Sequence, residues 1–294
     1  LVNRYSFTYL TSGRDLLRMQ VKQEGGKDVV VLADPNFGEK SEMMVAAKRD
    51  IKAVQGAAQS TNQPAGPNFT LAEAFFPPLP GTAGEALALK SLLPDAHILT
   101  KAQANETSLK KISRPGILHI ATHGFFLKDA NEPASNKGRD LQKVTSDSGR
   151  IENPYLRSGL ALAGANLHKS GDDDGILTAL EAAGLDLWGT KLVVLSACNT
   201  GVGDVRNGDG VYGLRRALVL AGSETQVMSL WKVSDQGTRE LMIGYYKRLL
   251  HGEGRGEALR QVQLRMLKQP NRRHPYYWAS FIQSGEWANL DGKR

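Results

Sequence analysis

Short apolar runs of strand length recur along this chain, and stretches of helix length separate them. Asp28 to Ala33, His97 to Thr100, Ile117 to Thr122, Ser158 to Ala163, Lys191 to Ser196 and Thr225 to Leu230 read as strands, with Tyr5 to Leu10 as a further one. Gly13 to Val21, Gly84 to Leu93, Thr107 to Ile112, Leu214 to Leu220, Thr238 to Leu250 and Gly256 to Leu267 read as helices. Thr178 with Glu181 fits a capping box for one more, ahead of Asp186. Neighbouring parallel strands need a crossover of a dozen or more residues, usually helical, so this βα alternation predicts an α/β fold: a mostly parallel sheet covered by helices on both faces.

No internal repeat and no linker interrupts the alternation, so residues 1–294 read as one domain. Residues 53–70, rich in Ala, Gln, Gly, Asn and Pro, read as a mobile insertion. From Lys128 to Arg150 the chain is polar, with Leu141 and Val144 as rare apolar positions; so long a loop inside a domain is usually functional or disordered. The first residue is Leu1 rather than methionine, which points to a piece of a longer protein.

Hydrophobic content of 41% and charged content of 23% exclude a disordered chain. No apolar run approaches the ~20 residues of a membrane helix, and no signal peptide opens the chain. A single cysteine cannot form an internal disulfide, so the expected location is cytoplasmic. The net charge of +7 would favour acidic partners, yet the basic doublets Lys48-Arg49, Lys110-Lys111, Arg215-Arg216, Lys247-Arg248 and Arg272-Arg273 are scattered. No aromatic residues interleave with them, so direct nucleic-acid binding is not expected.

Two of the apolar runs end in groups with chemistry. One leads into Ala121-Thr122-His123-Gly124, the other into Cys198-Asn199-Thr200-Gly201. The carboxyl ends of parallel strands share one edge of a sheet, so an imidazole and a thiol can meet there across a crevice. A thiol attacks as thiolate, which a nearby imidazole stabilises before protonating the leaving amine. A solitary cysteine is more often a small buried hydrophobe, and it is His123 that shifts this reading toward catalysis. The amides of Gly124 and Cys198 are then candidates for an oxyanion hole.

His119 precedes His123 by four residues, which on a helix would suggest metal ligation. In a strand the same spacing puts both on one face, and no further ligand stands at a telling spacing. His119 therefore reads as a hydrogen-bonded interior histidine supporting its neighbour, and no metal site is expected. Gly201, Gly203, Gly208 and Gly210 raise the alternative of a nucleotide site, but they lack the glycine pattern or Lys-Ser/Thr signature of phosphate binding.

Taken in order, Ile117 to Gly124, Val193 to Gly201 and Ser229-Leu230-Trp231-Lys232-Val233-Ser234-Asp235 resemble blocks of the CHAT family of caspase-like cysteine peptidases, related to caspases and separases. Leu79-Pro80-Gly81-Thr82 with Glu85, Ser158-Gly159-Leu160, Asp209-Gly210 and His274 to Ala279 also look like that family's motifs. The resemblance implies a caspase-like α/β/α sandwich, His123 as acid/base, Cys198 as nucleophile, and no cofactor. It implies a protein substrate cut at few sites, and attachment to TPR repeats or another sensor module. Some members act in bacterial signalling or defence, for example by releasing an effector such as a gasdermin.

No third member of a triad is apparent in the sequence. By analogy with separases, Asp235 is a candidate for selecting a basic side chain before the scissile bond. Ser234 or Asp235 equally fits the N-cap of the following helix. Trp231 reads as a pocket wall or, more simply, as core. Arg157 is a weaker candidate for meeting an aspartate. The alternative to an enzyme is a catalytically silent interaction domain of the same fold.

Overall fold

The computed structural model describes residues 1–21, 23–39, 74–127, 153–196, 198–199, 209–231 and 234–293. The segments 53–70 and 128–150, and the glycines at 201, 203 and 208, lie outside the described residues.

Six strands form the central sheet: β1 (Val29–Pro35), β2 (His97–Lys101), β3 (Ile117–Ala121), β7 (Leu192–Leu195), β9 (Thr225–Ser229) and β10 (Phe281–Gly285). Their order is β10-β9-β7-β3-β1-β2, and every pair is parallel except β10 with β9. The βα alternation thus yields the mostly parallel sheet it predicts.

Strand side chains alternate between two buried layers, as a period of two requires. Val31, Ala33, Ile117, Leu192 and Val194 pack on one side, against α2 (Pro80–Leu92), α6 (Asp235–Leu250) and α7 (Arg255–Lys268). Val30, Leu32, Leu118, Ile120, Val193 and Leu195 pack on the other, against α3 (Glu106–Lys110), α4 (Ala179–Ala182) and α5 (Asp209–Leu220). Both faces are buried, so the central strands carry continuous apolar runs rather than an apolar–polar alternation. Truncating one fully buried side chain such as Leu118 to Ala costs about 2–5 kcal/mol.

A second, four-stranded sheet sits at the carboxyl end of the central one, in the order β6-β5-β4-β8. It comprises β4 (His123–Phe126), β5 (Ser158–Ala161), β6 (Ile176–Thr178) and β8 (Cys198–Asn199). The chain leaves β3 at Thr122, whose hydroxyl donates to the carbonyl of Ala161, and re-enters as β4. In the same way β7 gives way to β8.

The helices start and stop for local reasons. α4 begins at the expected capping box, with Thr178 and Glu181 bonding each other's backbone N–H. Ser234 caps α6 by accepting from the amide of Gly237, which decides between the two candidate caps in its favour. α2 opens at Pro80, and the Thr82 hydroxyl accepts from the Asp34 amide while donating to the Leu79 carbonyl. The short α1 (Arg14–Arg18) covers only part of the helix expected over 13–21. Tyr5 to Leu10 forms no strand: only Tyr9 bridges, to Ser284 of β10, while Tyr5, Phe7 and Tyr9 are exposed. Their alternation imitates a strand, yet the aromatic side chains stay exposed among the described residues.

Candidate active site

His123 opens β4 and is 2% exposed. The rings of Phe37 and Phe76 lie 5.0 and 5.9 Å from its own, centroid to centroid. Its Nε2 is 2.6 Å from the carbonyl oxygen of Pro77. A carbonyl only accepts, so Nε2 carries the proton of that bond. The sequence offered no third triad member; the structure supplies a backbone oxygen to orient the ring.

The segment bearing that oxygen is itself clamped. Asn166, buried to 1% exposure, accepts from the Phe76 amide at 2.8 Å and donates to the Phe76 and Gly38 carbonyls at 3.0 Å each. One side-chain amide thus satisfies three backbone groups that no strand or helix pairs. Neither Pro77 nor Asn166 is marked by any motif, because the contacts join positions 46 and 90 residues apart.

Cys198 belongs to β8, which runs parallel to β4 with His123 and Cys198 as Cα partners and Gly124 opposite Asn199. This register continues that of the core strands. Ile117 pairs Leu192 and His123 pairs Cys198, and both differences, 192 − 117 and 198 − 123, equal 75. The break at Thr122 and the passage from β7 to β8 therefore leave the two chains in step. Gly124 also pairs Leu160 of β5, so it lies on an interior strand of the small sheet.

His119 sits in β3, fully buried, with Nδ1 3.0 Å from the Tyr246 hydroxyl of α6. Its Nε2 lies 3.2 Å from Glu85 Oε1 of α2, close enough for an ion pair but without hydrogen-bond alignment. Glu85 Oε2 accepts from the Ser196 hydroxyl at 3.1 Å. Burial pushes the Tyr246 hydroxyl well above its ordinary pKa, with Tyr245 and Glu85 adding to it, so it stays protonated. His119 touches α2 itself and His123 the segment leading into it, but the chain breaks between β3 and β4 at Thr122, so the two histidines lie on strands of different sheets rather than on one face of a single strand.

Trp231 follows β9 and is 37% exposed, with its indole N–H 3.4 Å from the Tyr276 carbonyl. It is not core, contrary to the simpler reading. Asp235 is the exposed first residue of α6, its carboxyl resting against the first turn of α2. A Cβ on Gly81 would approach that carboxyl to 2.2 Å, so any larger residue there would push the Asp235 side chain aside. Arg157 is half-buried just before β5, and its carbonyl accepts from the Leu127 amide at 2.7 Å.

A cavity of about 680 Å³ opens at the opposite edge of the sheet, where Lys191 and Glu224 precede β7 and β9. In its lining Glu224 pairs with Lys191 at 2.5 Å and with Arg255 at 3.1 Å. Neither His123 nor Cys198 lines it. Among the described residues no three His, Cys, Asp or Glu are grouped to hold a metal ion, and no helix is long and apolar enough to cross a membrane.

A helix-covered, mostly parallel six-stranded sheet, with a histidine and a cysteine in register beyond two adjacent strands, defines a caspase-like α/β/α sandwich. The CHAT domain model matches residues 1–286, and this chain belongs to the CHAT-domain family, which is related to caspase-like cysteine peptidases. It is similar to tetratricopeptide repeat protein 28 of mouse, with 25% identity over 249 residues, and of human, with 25% identity over 235 residues. Each match covers 76% of this chain and 9% of the relative, so the chain spans about a tenth of the proteins it resembles.

Proposed function

We propose that this chain is a cysteine endopeptidase in which His123 and Cys198 form the catalytic dyad. The observation that carries the reading is the shared register of β4 and β8, which makes these two residues Cα partners.

In the proposed reaction His123 Nδ1 takes the proton of the Cys198 thiol, and the resulting thiolate attacks the scissile carbonyl carbon, forming a C–S bond and an oxyanion. The amides of Gly124 and Cys198 stabilise that charge. As the C–N bond breaks, His123 Nδ1 delivers a proton to the departing amine, leaving an acyl-thioester. Water then attacks the thioester, the imidazole takes its proton, and the thiolate is released. The Pro77 carbonyl keeps the ring in one orientation throughout, and Phe37 and Phe76 shield it from water.

Asp235 is proposed to select a basic side chain before the scissile bond. Ser234 serves as the helix cap, which leaves the Asp235 carboxylate exposed at the start of α6. Trp231, partly exposed beyond β9, is proposed as a wall of the same site. The substrate is a protein cut at few positions, and a TPR or other sensor module controls the cut; the repeat proteins among the relatives support that link. The same proposal includes a cytoplasmic location and, on the family resemblance, a part in bacterial signalling or defence.

Incubation with its activator and a peptide library, alongside Cys198→Ala, tests the reading. Cleavage by the wild type alone supports it. Equal cleavage by both forms overturns it and leaves the non-catalytic interaction domain.

A further inference from the structure

The two members of the proposed dyad come from different parts of the fold. His123 is braced by the Pro77 carbonyl, three residues before α2 begins, whereas Cys198 lies two residues beyond Ser196 at the end of β7. One buried side chain bridges them. Glu85, on the second turn of α2, accepts from the Ser196 hydroxyl at 3.1 Å and lies 3.2 Å from His119 of β3, and all three residues are at most 5% exposed.

A carboxylate placed there needs a reason. Burying an ionisable group is costly, and an apolar side chain would fill the same space more cheaply. What the carboxylate adds is direction: the bond from Ser196 to Oε2 fixes the spacing between α2 and the end of β7 to hydrogen-bond tolerance, while Oε1 rests against His119 of β3. That spacing also sets how the His123 brace stands relative to β8, which carries Cys198. Apolar packing alone permits sliding of a few tenths of an ångström, whereas a misplacement of about 1 Å costs a catalytic pair up to ~100-fold.

We propose that Glu85 is a positioning residue for the dyad, tying the helix that braces His123 to the strand that delivers Cys198 through the hydroxyl of Ser196. The proposal rests on the catalytic reading above. Glu85 touches neither the substrate nor the reacting atoms in it.

The test compares Ser196→Ala, Ser196→Thr, Glu85→Gln and Glu85→Leu in the full chain with its activator. Cleavage of a peptide substrate is measured, and turnover is normalised to the fraction of Cys198 labelled by a peptide electrophile, so that loss of folded protein does not count. Ser196→Ala and Glu85→Leu are expected to lower normalised kcat by ~10-fold or more with KM within about twofold of wild type. Ser196→Thr and Glu85→Gln, which keep a hydroxyl and an acceptor, restore it. Equal kcat in Ser196→Ala and wild type overturns the proposal, and so does equal impairment of the Ala and Thr variants, which would mean simple packing. A wild type that neither labels nor cleaves removes the dyad itself, and this role with it.

Discussion

The carbonyl oxygen of Pro77 lies 2.6 Å from Nε2 of His123, so a backbone group sets the tautomer and direction of the candidate catalytic imidazole. Because a carbonyl cannot be substituted directly, its support is the accessible lever, and that support is Asn166.

Asn166→Ala leaves the Phe76 amide and the Phe76 and Gly38 carbonyls without their buried partner. The expected cost is about 2–4 kcal/mol of stability, read as a lower urea midpoint. The folded fraction should also turn over ~10- to 100-fold more slowly, because the Pro77 carbonyl loses its fixed place. Unchanged turnover per folded molecule would mean that the brace is not needed for the chemistry.

Asp235→Asn separates two jobs of one carboxylate. Its charge at the N-termini of α2 and α6 contributes less than about 1 kcal/mol, so the thermal midpoint should move by only a few degrees. If the carboxylate selects a basic side chain, kcat/KM for peptides with Lys or Arg before the cut falls ~10- to 100-fold, with neutral peptides little changed. An unaltered preference assigns Asp235 to the helices alone.

Lys110 contacts Glu106, Asp173 and Glu181 at 2.8, 2.8 and 3.0 Å. Its ammonium, with the Thr107 hydroxyl, holds the Asp173 carboxyl below the ordinary range, while burial pushes Glu106 above it. A lowered carboxyl contributes stability that is present above ~3.9 and is lost as pH falls through its folded value; a raised one favours the fold as pH falls. Lys110→Met should therefore cost about 1–3 kcal/mol at pH 7. The deficit should shrink below about pH 5, as Glu106, raised further without its partner, takes up a proton inside the fold. Urea midpoints at pH 4 and pH 7 check this, and a deficit independent of pH would contradict it.

What the sequence discloses here follows from what periodicity can carry. The run Leu192 to Leu195 and its counterpart Ile117 to Ala121 announce buried parallel strands because every position on them is apolar or internally bonded. The 75-residue interval between His123 and Cys198 is readable in the chain, but that it equals the Ile117–Leu192 offset is visible only once the strands are paired. Tyr5 to Leu10 misleads because alternation is necessary for a half-buried strand and not sufficient for one. Pro77 escapes notice because its part is played by a backbone carbonyl, whose presence does not depend on residue type, and Asn166 because its side-chain amide meets partners that are remote in the chain. Glu85 belongs to a recognisable motif, yet its partners on β3 and β7 are fixed by tertiary packing alone.

The most direct test of the dyad is intact-mass measurement after exposure to a cysteine-directed peptide electrophile, on wild type, His123→Ala and Cys198→Ala with the activator present. The account predicts one stoichiometric adduct on Cys198 in the wild type, labelling slowed ~100-fold or more in His123→Ala, and none in Cys198→Ala. Labelling of wild type and His123→Ala at the same rate would contradict it, since the thiol would then owe nothing to the imidazole paired with it across β4 and β8.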